Sequence, residues 1–275
     1  MTSAHSMPLD SRVQELVGHY SRAEGLCLAE LLCDNHDPAE TAFRLMRGTE
    51  SYDLSYGELT DLSRRVAAAM AAHGLGPGAR VATLMGKSRE LLATLVAIWR
   101  IGAVHVPLFT AFASEGIALR LAGSAADAVF CDAAQRSKLN AATLGATGKE
   151  TVLVTLGDSL ANDPAIAWDN FCNTDAEVPA RHVSGPDDPM ICIFTSGTTG
   201  NPKGVEMPVK GLASIHAYAE FGLGITPDDV FWCAADPGWA YGLYYAVVTP
   251  LLLGQRALFL EGGFDADTTY AILKE

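Results

Sequence analysis

From about residue 55, apolar and polar positions alternate with the periods of helices and strands. Ser55 and Glu58 have the spacing of a capping box, and an Ala- and Leu-rich helical segment follows and ends at Gly74. Four short apolar runs predict strands at 80–85, 103–107, 127–131 and 151–155. Helical patterns separate them, from Ser88 to Ile101 and over 133–144. This order predicts an α/β fold in which largely parallel sheet layers are covered by helices.

A second unit is predicted after the polar turn at 185–189. The apolar run 190–194 is typical of a strand buried on both faces, and it leads into a loop that ends at Gly204. The elements predicted beyond this loop are a helix at 208–222, a strand at 230–235, a helix at 240–253, a strand at 256–260 and a helix capped by Asp265. We therefore predict two α/β subdomains, 1–185 and 186–275, the second of which carries the loop.

Composition narrows the possible functions. Hydrophobic residues make up 49% of the chain, enough for a substantial core. There are 19 Lys and Arg against 32 Asp and Glu, a net charge of −13, which argues against nucleic acid or an anionic membrane as the main partner. The apolar run 91–99 ends at Arg100 and is too short to span a membrane.

The cysteines and the N-terminal residues indicate the compartment. The six cysteines are scattered without a Cys-x-x-Cys pair, so neither a disulfide framework nor a zinc site is expected. The N-terminal residues show no basic segment followed by an apolar one. We expect a cytoplasmic protein with reduced thiols and no metal-binding residues of its own.

The strongest chemical signal is the segment 195–204, which reads TSGTTGNPKG. Glycines allow backbone N–H groups to approach an anion, hydroxyl groups add donors, and Lys203 adds a positive charge. This is not the Walker arrangement, because only two residues separate Gly197 from Gly200, and Pro202 precedes the lysine. An exposed Ser/Thr/Gly turn is the alternative, but the density of donors favours a phosphate-binding loop.

This segment resembles the signature of AMP-forming adenylating enzymes, which include acyl-CoA synthetases, luciferases and the adenylation domains of peptide synthetases. Segment 102–112 resembles the Gly-Ala-x-x-x-Pro-Leu segment of the family. Segment 236–242, followed by 251–254, resembles the acyl-pocket segment of acetyl- and medium-chain acyl-CoA synthetases. The resemblance covers about residues 25–275, and it implies an incomplete large N-terminal domain of an acyl-CoA synthetase-like enzyme.

The resemblance implies a reaction and its site. A carboxylic acid, short- or medium-chain, would be activated by ATP to acyl-AMP with release of pyrophosphate, and coenzyme A would then form the thioester, as in fatty acid metabolism. ATP, Mg2+ and coenzyme A are therefore expected. The residues implied to hold the phosphates are Thr195, Ser196, Gly197, Thr198, Thr199, Gly200 and Lys203. The residues implied to line the acid pocket are Trp239, Ala240, Tyr241 and Gly242.

Two observations bear on the acid pocket. Tyr241 lies about where amino-acid-activating relatives have an aspartate for the substrate amine, and tyrosine does not supply that charge, so an uncharged acyl tail is favoured. The alternative for 239–242 is the start of an aromatic-rich helix packed in a core.

His105 and His216 are interpreted as structural residues.

The family pattern continues beyond this chain. It includes a later segment that contributes to nucleotide and Mg2+ binding, a ribose-binding aspartate, a hinge and a small C-terminal domain with the catalytic lysine, so no catalytic residue is assigned here. We expect the chain to be roughly the first half of such an enzyme, with exposed edges that favour self-association. Two alternatives are an adenylating enzyme with another acceptor, a carrier protein or a luciferase-like acceptor, and a noncatalytic nucleotide-binding half-domain.

Overall fold

The computed structural model describes residues 9–48, 50–157, 163–195, 202–262 and 265–274. The strands are β1 Thr41–Arg47, β2 Glu50–Ser55, β3 Arg80–Leu84, β4 Val104–Pro107, β5 Ala128–Asp132, β6 Val152–Leu156, β7 Ile166–Ala167, β8 Pro189–Thr195, β9 Lys203–Pro208, β10 Phe231–Trp232 and β11 Ala257–Leu260. The α-helices are α1 Leu9–Tyr20, α2 Tyr56–Ala72, α3 Arg89–Arg100, α4 Ser114–Ser124, α5 Ala141–Gly145, α6 Trp168–Cys172, α7 Leu212–Ala217, α8 Ala240–Gly242, α9 Thr249–Leu253 and α10 Ala266–Ile272. Short 3-10 turns are found at Ala133–Lys138 and Val209–Gly211, and π-helical turns at Glu30–Asp34, Tyr218–Leu223 and Leu243–Val248.

The larger sheet has seven strands in the order β7-β6-β5-β3-β4-β8-β9. Neighbouring strands are parallel except for β8 and β9, which form an antiparallel pair. The predicted α/β class with a parallel-rich sheet is therefore confirmed. The loop predicted at 195–204 is too long at both ends, because Thr195 is the last residue of β8 and Lys203 and Gly204 are the first residues of β9. Backbone pairing with β8 makes this segment a strand, although its residues 203–206 are exposed and form no apolar run.

The smaller sheet has four strands in the order β10-β11-β1-β2. The hairpin of β1 and β2 precedes the first predicted element, and β1 pairs in parallel with β11, with Phe43 opposite Ala257. In the larger sheet β4 pairs with β8, with His105 opposite Ile191. Strands from both sides of residue 185 thus pair in each sheet, and the division into 1–185 and 186–275 stays a prediction.

Helices cover both faces of the larger sheet. The residues of α2 and α3 pack with Val81 and Phe130 on one face, and α4 packs with Ala82 and Val129 on the other. Within this core the indole Nε1 of Trp99 donates to the carbonyl of Met190 at 3.1 Å and ties α3 to β8. These layers fix the strands whose ends carry the candidate site.

Three helix starts have the predicted caps. The hydroxyl of Ser55 accepts from the backbone N–H of Glu58, and the Glu58 carboxylate accepts from the backbone N–H of Ser55, so the capping box is complete. The hydroxyl of Ser88 accepts from the N–H of Leu91 at 3.1 Å. Asp265 caps α10 in the same way, as predicted.

Other elements differ from the prediction. The single helix predicted at 133–144 is divided into a 3-10 turn and α5, because the side chain of Asn140 accepts from the N–H of Thr143 and starts a new helix. The strand predicted at 230–235 is only β10, since the chain turns away after Trp232 and the carbonyl of Ala234 accepts from Lys87. The helices predicted at 208–222 and 240–253 exist, and each contains a π-helical turn.

Among the residues described above, no helix is both long enough and apolar enough to cross a membrane.

Candidate functional site

The candidate site lies where parallel strands of the larger sheet end. Because β3, β4 and β8 run in the same direction, the segments that follow them leave the sheet at one edge, which we call the carboxyl edge. Segment 85–87 follows β3, segment 108–112 follows β4, and the Ser/Thr/Gly segment follows β8. In open α/β sheets ligands bind at this edge.

The antiparallel pair of β8 and β9 supports the predicted phosphate-binding loop at its base. Thr195 at the end of β8 is the pairing partner of Lys203 at the start of β9, and both residues are exposed. Ser196, Gly197, Thr198, Thr199 and Gly200 lie outside the described residues, so their contact with phosphate stays a prediction. The pairing places the backbone of the predicted lysine opposite that of the first predicted threonine.

The second predicted site begins with a tight turn at Asp236. The carboxylate of Asp236 accepts from the N–H of Gly238 at 2.7 Å. A Cβ atom on Gly238 would lie 2.5 Å from the Cα atom of Phe109, and one on Gly242 would lie 2.0 Å from the carbonyl oxygen of Asp236. Glycine is therefore required at both positions, at Gly238 because the turn packs on the backbone that follows β4, and at Gly242 because the chain returns onto the backbone of Asp236.

Aromatic side chains cover this turn. The ring of Trp239 lies 5.4 Å from that of Phe109 and 5.5 Å from that of Phe112, and the ring of Tyr241 lies 4.6 Å from that of Tyr245. Trp239 remains 46% exposed and Tyr241 50% exposed, whereas Gly242 is buried and Ala240 is half-buried. The two aromatic residues do not have the burial of core residues, and they face solvent beside the carboxyl edge.

Sequence reasoning missed the polar groups that connect these segments. The ammonium group of Lys87 donates to the carbonyl of Ala234 at 2.8 Å, and that of Lys138 donates to the carbonyl of Thr110. The hydroxyl of Thr110 lies 3.5 Å from the carboxylate of Asp236. One sequence signal could have indicated these two residues: Lys87 and Thr110 each lie three positions after the end of an apolar strand.

The electrostatics of the edge are set by partial burial. Burial lowers the pKa of the Lys87 ammonium group, and the nearby carboxylate of Asp236 partly offsets this effect. Burial raises the pKa of Asp132, whose carboxylate accepts from the N–H of Gly86 at 2.6 Å and joins the ends of β5 and β3. Partial burial and the neighbouring Tyr218 raise the pKa of Tyr241, so its phenol is neutral at physiological pH.

His105 and His216, which were predicted to be structural, both contact hydroxyl groups of neighbouring elements. The imidazole Nε2 of His105 lies 2.8 Å from the hydroxyl oxygen of Thr83, and burial lowers the pKa of His105 to about 3, so the ring is neutral. The Nδ1 of His216 lies 2.8 Å from the phenol oxygen of Tyr20, which joins α7 to α1. All six cysteines are free thiols. The part of the chain that is described contains no group of three His, Cys, Asp or Glu side chains that could hold a metal ion.

Comparison with known proteins adds a second line of observation. The protein-family model described as AMP-binding enzyme matches residues 33–275. The chain is 31% identical to the acetyl-coenzyme A synthetase of Pseudoalteromonas translucida over 229 residues, which cover 78% of this chain and 35% of that protein. It is also 31% identical to the acetyl-coenzyme A synthetase of Pyrobaculum aerophilum over 237 residues, with 79% and 35% covered.

The fold is also similar to that of a solved structure. The crystal structure of Brucella canis acyl-CoA synthetase superposes with a TM-score of 0.85 at 34% identity. The superposition covers 98% of this chain and 49% of that chain. The chain thus spans 35% of the length of the two curated relatives and about half of the solved relative.

Proposed function

Because the chain belongs to the AMP-binding enzyme family, we propose that the complete protein carrying it activates a carboxylic acid with ATP and transfers the acyl group to coenzyme A. In the first step a carboxylate oxygen bonds to the α-phosphorus of ATP and pyrophosphate leaves. In the second step the sulfur of coenzyme A bonds to the acyl carbon and AMP leaves. The similarity to acetyl- and acyl-CoA synthetases supports this choice of acid and acceptor.

One observation carries the proposal: β8 ends and β9 begins at the carboxyl edge, with Thr195 opposite Lys203. Both reactants of the first step are anions, so the protein has to neutralise charge and align the two groups. Lys203 supplies a positive charge next to the leaving phosphates. The residues that we propose to hold the β- and γ-phosphates are Thr195, Ser196, Gly197, Thr198, Thr199, Gly200 and Lys203.

The acid would bind against the aromatic turn beside this hairpin. We assign the lining of its pocket to Trp239, Ala240, Tyr241 and Gly242. Trp239 packs on Phe109, which follows β4, and β4 is the direct neighbour of β8. Exposed aromatic surface and a neutral phenol match an uncharged acyl tail, and a short- or medium-chain acid is therefore the proposed substrate class.

Mg2+ has no counterpart among the described side chains. These residues provide no cluster of carboxylates for a divalent cation, and we derive no step through the metal. Mg2+ is proposed only as the companion of ATP. Fatty acid metabolism and the cytoplasm are the proposed setting, which the six free thiols support.

The acceptor is tested by product analysis. The complete protein is incubated with ATP, Mg2+ and an acid, with and without coenzyme A, and products are identified by mass spectrometry. We expect an acyl-CoA thioester only when coenzyme A is present. An acyl-adenylate that accumulates unchanged with coenzyme A would favour another acceptor, and ATP binding without any acyl product would favour a noncatalytic nucleotide-binding module.

A further inference from the structure

A half-buried lysine lies under the turn that carries the aromatic residues. The ammonium group of Lys87, three residues after the end of β3, donates to the carbonyl of Ala234 at 2.8 Å. Lys149 and Lys210 instead form surface ion pairs with Asp127 and Asp187. Lys87 therefore connects two segments that are 147 positions apart in the sequence.

Contacts to the segments that follow β3 and β4 hold the turn 234–242 in place. The carboxylate of Asp236 accepts from the N–H of Gly238 inside the turn and lies 3.5 Å from the hydroxyl of Thr110, which follows β4. The charge of Asp236 also acts on the ammonium group of Lys87. Because Gly238 packs on the backbone of Phe109, a displacement of the turn would displace Trp239 as well.

We propose that Lys87 is a positioning residue for the acid pocket, fixing the turn 234–242 through its hydrogen bond to the carbonyl of Ala234. One donor of its ammonium group is already committed to a backbone carbonyl, so its effect on the acid is indirect. The inference rests on the proposed function where it concerns the acid, but the positioning itself concerns only this chain.

A spectroscopic test addresses positioning without any activity. The chain is labelled with 5-fluorotryptophan, and the 19F resonance of Trp239 is assigned with the Trp239→Phe variant. In Lys87→Met we expect this resonance to shift by more than its line width, while that of Trp168, on α6, stays in place. Lys87→Arg, which keeps a charged donor, should restore the position, and Lys210→Met is the matched surface control. An unchanged Trp239 resonance in Lys87→Met, or an equal shift of Trp168, would overturn the inference.

A kinetic test connects positioning with the acid. In the complete protein, Lys87→Met should raise KM for the acid about tenfold, because a displaced turn no longer aligns the wall of the acid pocket, and should leave KM for ATP within about twofold. Lys87→Arg should recover most of the loss. A rise in KM for ATP alone would show that Lys87 serves the nucleotide and would overturn the inference. A wild-type protein without acid-dependent activity would contradict the proposed function, and the fluorine measurement would still decide the role of Lys87.

Discussion

Lys203 and Thr195, at the two ends of the predicted loop, are paired across two neighbouring strands in the fold. The sequence placed a lysine eight positions after a threonine. The antiparallel pairing of β8 and β9 makes them direct neighbours at the carboxyl edge. Thr195 ends β8, the strand beside β4, so the backbone of Lys203 is paired with the larger sheet at its carboxyl edge.

Lys203→Ala should abolish most of the adenylation activity of the complete protein. Removing a positive charge from the departing phosphates should lower kcat/KM for ATP about a hundredfold, and Thr198→Ala should act in the same direction. Pyrophosphate exchange kinetics measure the loss. Lys210→Ala, which removes a lysine paired with Asp187 at the surface, is the control. Wild-type rates in both Lys203→Ala and Thr198→Ala would remove the phosphate-binding assignment.

Tyr241→Ala should shift the preference among acids toward bulkier tails. The ring of Tyr241 is half exposed and packs against Tyr245, so its removal opens space without uncovering a buried core. The ratio of kcat/KM for octanoate to that for butyrate should rise about tenfold. Tyr270→Ala, another exposed tyrosine but on α10, should leave the ratio unchanged. The same ratio in Tyr241→Ala and wild type would take Tyr241 out of the pocket.

At the scale of elements, the sequence predicted the helix caps and strands that depend on local signals. The caps at Ser55 and Ser88 and the apolar strands β3 to β6 were found, because each depends on neighbours within a few positions. The strand β9 was missed because residues 203–206 are exposed and show no apolar run. The strand β2 was missed for a similar reason, since most of its residues are exposed.

Part of the candidate site also depends on distant pairings. The motifs identified Lys203, Trp239 and Tyr241 through their immediate sequence. Lys87 was not identified, because its role depends on the carbonyl of Ala234, which only folding brings within 2.8 Å. Residues whose partners lie far along the chain cannot be recognised by local periodicity.

Gly238→Ala tests the packing of the turn against the segment after β4. The new Cβ atom would lie 2.5 Å from the Cα atom of Phe109, and backbone cannot move as easily as a side chain. We expect the free energy of unfolding of this chain to fall by about 1–3 kcal/mol in urea titrations. Gly76→Ala, where a Cβ atom has no neighbour within 4 Å, is the matched control. Equal stability of the two variants would show that the turn does not pack as described.

At the scale of the whole molecule, two sheets bring distant parts of the chain to one edge. The larger sheet aligns the ends of β3, β4 and β8, and the smaller sheet holds β10 next to β11. Segment 234–242, which leaves β10, then reaches Phe109 at the carboxyl edge of the larger sheet. The candidate site therefore depends on both sheets, although its motifs occupy two short segments.

The most direct measurement is the exchange of radioactive pyrophosphate into ATP by the complete protein, with acetate, butyrate, octanoate and benzoate compared against no acid. Exchange reports formation of the acyl-adenylate without any acceptor. We expect exchange that requires an acid, is strongest with one of the short- or medium-chain acids, and is lost in Lys203→Ala. ATP binding without exchange for any acid would contradict the proposed function.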